Sequence, residues 1–168
     1  AIVSNGGVYV PEITAAGIRH YQAPMHRRNL GDMVRARKIL REIIRKEDPD
    51  VVHAHARIPA FLCGGLCRRM GYPFVTTAHW VFDTRGLLRY LTDWGERTVA
   101  VSEDIKAYLI REYGLPPEHI SVTINGIDTE KFSPAVSGER VIREFGLDGE
   151  RPILSYVSRM DEDGALVA

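Results

Sequence analysis

Short apolar, β-rich runs alternate with longer amphipathic stretches over almost the whole chain, and this alternation restricts the fold more than any single residue does. The strand-like runs are residues 1–4, 19–23, 51–56, 74–79, 98–102, 120–124 and 152–158. Helix-like segments at 8–16, 30–46, 59–70, 87–94, 104–113 and 136–145 lie between them. In the second of these, Met33, Val34, Ile39, Leu40, Ile43 and Ile44 recur at helical spacing with basic residues in between, and Asp48-Pro49-Asp50 ends it. Strands joined through helices pair in parallel, because a tight turn cannot return the chain in the same direction. Right-handed crossovers then place helices on both faces. The expected fold is α/β, a doubly wound and mostly parallel sheet.

In such a sheet, ligands bind outside the carboxyl ends of the strands. That selects the polar residues closing each run: Asn5, His55, His79, Ser102, Asn125, and Ser158 with Arg159. His79 can donate or accept a hydrogen bond near neutral pH, either to a ligand in the cleft or within its own loop. His53 and His55 share one side of their strand, a spacing also seen at metal sites, but no metal is expected here. Ser102 can cap the helix after it or touch ligand, and both roles stay open. Arg27 and Arg28, in a loop, are candidates for contact with an anionic acceptor, whereas Arg35, Arg37 and Lys38 read as a solvated helix face.

Composition removes several classes. A chain of 168 residues, 45% hydrophobic, can bury a core. Its 22 basic residues balance 22 acidic ones, so no net field favours nucleic acid. No apolar run approaches the roughly 20 residues of a membrane-spanning helix. Cys63 and Cys67 lie four apart in a helix-like stretch, a poor geometry for a disulfide, and read as buried thiols of a cytoplasmic protein. Gly64-Gly65 reads as close packing of that helix on the sheet. Asn5-Gly6-Gly7 lacks the third spaced glycine of a phosphate loop.

The segment Ile120-Ser121-Val122-Thr123-Ile124-Asn125-Gly126-Ile127-Asp128, with Phe132 and Pro134, reads as strand, tight turn and anchored exit. Asn125-Gly126 is expected to turn through positive φ, and Asp128 to cap the residues after it. This segment resembles the N-G-V/I-D-x-x-x-F-x-P motif of family 4 (group 1) glycosyltransferases. The string Asp50-Val51-Val52-His53-Ala54-His55 and the Val101-Ser102-Glu103 ending resemble the same family. So does 153–160, whose Arg159 matches a donor-diphosphate arginine, although Gly164 stands where the family has a lysine and Ser158 where it has glycine.

The resemblance implies one half of a GT-B enzyme with a Rossmann-like sheet, residues 1–150 forming the acceptor-side domain and 151–168 opening the donor-binding domain. It implies transfer of a hexose from a nucleotide sugar, as co-substrate and with no other cofactor, to a carbohydrate or lipid-linked acceptor, with retention of configuration. His79, Ser102, Asn125, Gly126, Arg27 and Arg28 would then serve substrate binding, and Arg159 the donor. The parent protein would work in the cytoplasm, with peripheral contact at the inner face of the membrane. The chain reads as a fragment, inactive alone, that lacks the family's first strand. Residues 153–158 are expected to take that strand's place, within one molecule or by exchange between two. A non-catalytic sugar- or nucleotide-binding module and a sugar-nucleotide epimerase are the alternatives.

Overall fold

The structure, a computed structural model, describes residues 1–25, 29–81, 92–148 and 151–155. The chain divides into two compact units, residues 1–125 and 126–168.

Among the described residues, the first unit carries six parallel strands in two pieces. Strands β1 (Ile2–Ser4) and β2 (His20–Gln22) pair with each other, on either side of helix α1 (Val10–Ala15) in sequence. Strands β3 (Val52–Ala54), β4 (Phe74–Ala78), β5 (Arg97–Ala100) and β6 (Ile120–Val122) form a second piece in that spatial order. All pairings are parallel, with Val52 opposite Phe74, Val75 opposite Arg97 and Thr98 opposite Ile120. Each strand expected between residues 1 and 124 is there, most of them shortened at their ends.

The helices start and stop for local reasons. Helix α2 (Leu30–Glu47) opens where Asn29 Oδ1 accepts the Asp32 N–H at 2.8 Å. Its buried stripe of Ala36, Leu40, Ile43 and Ile44 follows the helical period. Asp48 ends it in the left-handed conformation, φ 41°, just before Pro49. Helix α3 (Arg57–Met70) stops at Gly71, φ 78°, and helix α4 (Glu103–Tyr113) at Gly114, φ 64°. One core joins α2 and α3 to β3 and β4, with Leu62 and Leu66 almost fully buried. A second, around Leu109, joins α4 to β4, β5 and β6. Each such leucine contributes roughly 2 kcal/mol. The buried threonines Thr76 and Thr98 are satisfied: both donate their hydroxyls to the Trp94 carbonyl, at 2.8 and 2.9 Å.

Helix α2 sets the polarity of the two sheet pieces. It begins beyond the carboxyl end of β2, and its last residue, Glu47, returns to the amino end. There the Arg19 guanidinium and the Tyr21 hydroxyl each donate to it at 2.5 Å. Strand β3 therefore starts from the same edge as β1 and β2. A groove of about 670 Å³ remains between β1 and β3, floored by Leu40, Ile43 and Ile44.

Several expectations are corrected. Gly64 does not face sheet backbone; a side chain there would overlap the Asp93 carboxyl, which Arg68 holds at 2.6 Å. Neither Asn125 nor Gly126 has positive φ, so the turn is made later. Asp128 Oδ1 accepts the N–H groups of Glu130 and Lys131 at 3.1 and 2.9 Å, as its capping role required. Phe132 is 62% exposed and anchors nothing by burial. In the second unit, helix α5 (Glu139–Phe145) begins three residues later than expected and ends at Gly146. Residues 152–155 form no strand and Leu154 is 99% exposed, so within one molecule this part of 153–158 joins neither sheet piece. Residues 92–94, the end of the expected helix 87–94, are irregular. Residues 82–91 and 156–158 lie outside the described residues.

Candidate functional site

Parallel register lines up the strand ends along one rim. Because Ala78 pairs with Ala100 and Ala100 with Val122, the next residues, His79, Val101 and Thr123, leave the sheet at the same level. Beside them stand His53 and His55 from β3 and its end. Strand pleating sends these two side chains to one face, with ring centroids 4.2 Å apart.

The three imidazoles form a row. His55 Nδ1 lies 3.1 Å from His79 Nε2, and their rings stack at 5.4 Å between centroids. His53 Nε2 bonds the Thr77 hydroxyl at 2.7 Å, which ties the row to β4. One face of the row is open: His53, His55 and His79 are all exposed, and so is Trp80 beyond them. Partial burial, and then the neighbouring imidazoles, hold His53 and His55 below the ordinary histidine value. These two rings are therefore largely neutral at pH 7. The row can give and accept hydrogen bonds with hydroxyls, and it can take a proton if an anion arrives. Among the described residues no group of three metal-ligating side chains is placed to hold an ion. The His55–His79 contact itself engages one nitrogen of each ring.

The other sequence candidates fall in three places. Ser102 caps α4, its Oγ accepting the Ile105 N–H at 3.2 Å, so the structure gives it a structural task near the rim. Asn125 and Gly126 are exposed past the end of β6. Arg27, Arg28 and Arg159 lie outside the described residues. Sequence reasoning missed Thr77, whose position two residues before His79 on the same strand face was a usable signal. It also missed Arg57, whose Nε donates to Thr92 Oγ1 at 3.0 Å just behind the rim.

A family model described as Glycosyltransferase Family 4 matches residues 4–131. The alpha-maltose-1-phosphate synthase of Mycolicibacterium smegmatis is 35% identical over 133 residues, covering 68% of this chain and 34% of that protein. A UDP-Gal:alpha-D-GlcNAc-diphosphoundecaprenol alpha-1,3-galactosyltransferase of Escherichia coli is 29% identical over 134 residues, 72% of this chain and 35% of its own length. Among solved structures, a glycosyltransferase of Rickettsia africae superposes with a TM-score of 0.70 at 24% identity, over 90% of this chain and 42% of that one. The chain thus spans about a third of the length of the curated relatives it matches.

Proposed function

The chain belongs to glycosyltransferase family 4, and from that premise we propose that it forms the acceptor-side part of a retaining hexosyltransferase. The observation that carries the reading is the open histidine row at the carboxyl rim of a parallel sheet, where His55 and His79 are linked and face solvent. Such a row suits an acceptor whose hydroxyl must be oriented and whose phosphate must be met by an added proton. Two relatives are named for products or acceptors of that kind, a maltose 1-phosphate and a diphospholipid-linked sugar. Their names also specify α-linked hexoses, which fits retention from an α-linked nucleotide sugar.

The donor is a nucleotide sugar used as co-substrate, with no further cofactor. The row's contribution is orientation and charge stabilisation at the acceptor. By resemblance to the family, Arg159 is the candidate for the donor diphosphate and Arg27 and Arg28 are candidates for the acceptor. Alone, the 168 residues carry out no transfer. The described residues contain no helix long and apolar enough to cross a membrane. Two buried thiols support a cytoplasmic place for the parent, with peripheral contact at the membrane when the acceptor is lipid-linked.

The test is a titration of the chain, labelled at its histidine rings, with glucose 1-phosphate, inositol 3-phosphate and plain glucose. The reading expects the His55 and His79 ring signals to move with the phosphorylated compounds and not with glucose. Unmoved rings at millimolar concentrations of all three overturn it.

A further inference from the structure

The exposed face of α2 carries charge and apolar surface that the histidine row does not use. At roughly 100° per residue, Leu30, Val34, Lys38, Arg41 and Arg45 fall within about 80° of arc. They form a stripe about 22 Å long, turned away from the buried Leu40 and Ile43. All five are exposed, Leu30 by 80% and Val34 by 68%. No acidic residue lies in the stripe, and Glu42 is the one that borders it. Asp32 is held by the Asn29 amide at 2.6 Å, and Glu47 by Arg19 and Tyr21.

Two other cations of α2 are engaged. Arg37 leans over α3, its guanidinium 3.5 Å from where a side chain at Gly65 would start, and Lys46 sits 5.0 Å over the Tyr21 ring. Arg35, Lys38, Arg41 and Arg45 form no ion pair among the described residues. In a chain whose 22 basic and 22 acidic residues balance, these four make a local positive field between positions 35 and 45.

The combination on one stripe selects the partner. Cations alone would suit any polyanion. The exposed aliphatic pair at the leading end gains nothing from nucleic-acid phosphates, but it is stabilised at the boundary between lipid headgroups and acyl chains. Lysine and arginine stems can lie along that boundary with their charged heads at lipid phosphates.

We propose that this face of α2 docks on an anionic lipid bilayer, with Leu30 and Val34 entering the headgroup region and Lys38, Arg41 and Arg45 meeting lipid phosphates. Because α2 begins beyond the carboxyl end of β2, the apolar end of the stripe lies on the side of the sheet where His55 and His79 stand. Docking therefore holds that rim close to the surface, where a lipid-linked acceptor is presented. The link to an acceptor rests on the function proposed above; the docking itself needs no sugar.

The test is co-sedimentation of the 168-residue chain with vesicles of three parts phosphatidylcholine to one part phosphatidylglycerol, and with phosphatidylcholine alone, both free of glycolipid. The expected result is binding to the anionic vesicles only, weakened by added salt. Each cation near such a surface strengthens binding about fivefold, so the triple variant Lys38→Gln, Arg41→Gln, Arg45→Gln should weaken it roughly a hundredfold. The same charge change at Lys131, Arg140 and Arg143, exposed in the second unit, should matter little. The double variant Leu30→Ser, Val34→Ser should weaken vesicle binding about tenfold and leave binding to heparin, a polyanion without acyl chains, unchanged. Melting curves check that each variant folds, and Tm should hold because every substituted position is exposed. Equal loss from the control triple overturns the proposal, because net charge is then the cause. Unchanged vesicle binding in the double variant overturns it as well, because the face is then a general polyanion site. No binding to anionic vesicles also overturns it and leaves the histidine titration untouched, since that experiment contains no lipid.

Discussion

His55 Nδ1 and His79 Nε2 lie 3.1 Å apart, a separation that one shared proton can bridge and two positive charges cannot occupy cheaply. The pair joins two neighbouring parallel strands at their carboxyl ends, where a ligand would meet both rings at once. Its consequences can be measured without knowing the ligand.

The first concerns pH. His53 and His55 are held below the ordinary value of 6.5 by partial burial and by neighbouring imidazoles. The unfolded chain therefore takes up protons before the folded one does as pH falls through that value, and stability drops. Above it, both states are neutral at these positions and the effect vanishes. Thermal unfolding followed from pH 8 to pH 5 should show Tm falling below about pH 6.5. His55→Gln should flatten that fall. An unchanged slope in the variant would assign the dependence to other groups.

The second follows from the proposed function and concerns His79 in the full-length protein. Losing a hydrogen bond to an oriented hydroxyl or phosphate costs about 1–3 kcal/mol. His79→Ala should then lower kcat/KM for the acceptor roughly 5- to 150-fold. Because the ring is exposed, Tm should barely move. Ser102→Ala should do the reverse, costing about 1 kcal/mol of stability through the lost cap of α4, with little effect on acceptor kinetics. Steady-state assays with acceptor varied, beside melting curves, separate the two.

The third contrasts two glycines. Gly95 has φ 73°, and a methyl there would overlap the Phe74 backbone carbonyl, whose own bond to Glu96 N–H fixes it in place. Gly95→Ala should cost about 2–4 kcal/mol, the sum of backbone strain and displaced strand. Gly64→Ala overlaps the Asp93 side chain down to its Cβ at 2.5 Å, which rotation of the carboxylate cannot relieve, so the backbone at Asp93 must shift and the ion pair with Arg68 is disturbed. Its cost should still be smaller, about 1–3 kcal/mol, because Gly64 is helical and a side chain there adds no backbone strain. Urea unfolding of the two variants gives the order directly.

The fourth concerns the thiols. Burial pushes the Cys63 thiol up to about 12 and the Cys67 thiol up to about 11, with the Cys67 thiolate adding to the effect at Cys63 and the Asp93 carboxylate at Cys67. At pH 8 both should react with a disulfide reagent far more slowly in the folded chain than in urea. Native labelling as fast as the unfolded control would show that α3 opens readily.

Much of this protein was legible in its residues alone. Helix α2 follows from its apolar period and the Asp48-Pro49 stop, local effects that act within a few residues, whereas its Asn29 cap came from the structure. Strands β3 to β5 follow from β-branched runs closed by polar residues. The family followed from the spacing of the Asn125-Gly126-Ile127-Asp128 motif and the Asp50 to His55 string, and His79 followed from its place after a parallel strand. What the chain order could not supply was lateral neighbourhood. That Thr77 holds His53, that His55 meets His79, and that the groove beside β3 is open depend on which strand lies next to which. Gly64 facing Asp93, and Leu154 left out of any strand, are of the same kind. Periodicity along a chain encodes which face of an element is buried. It does not encode the partner across the sheet, because that choice is made by packing among segments separated by twenty residues or more.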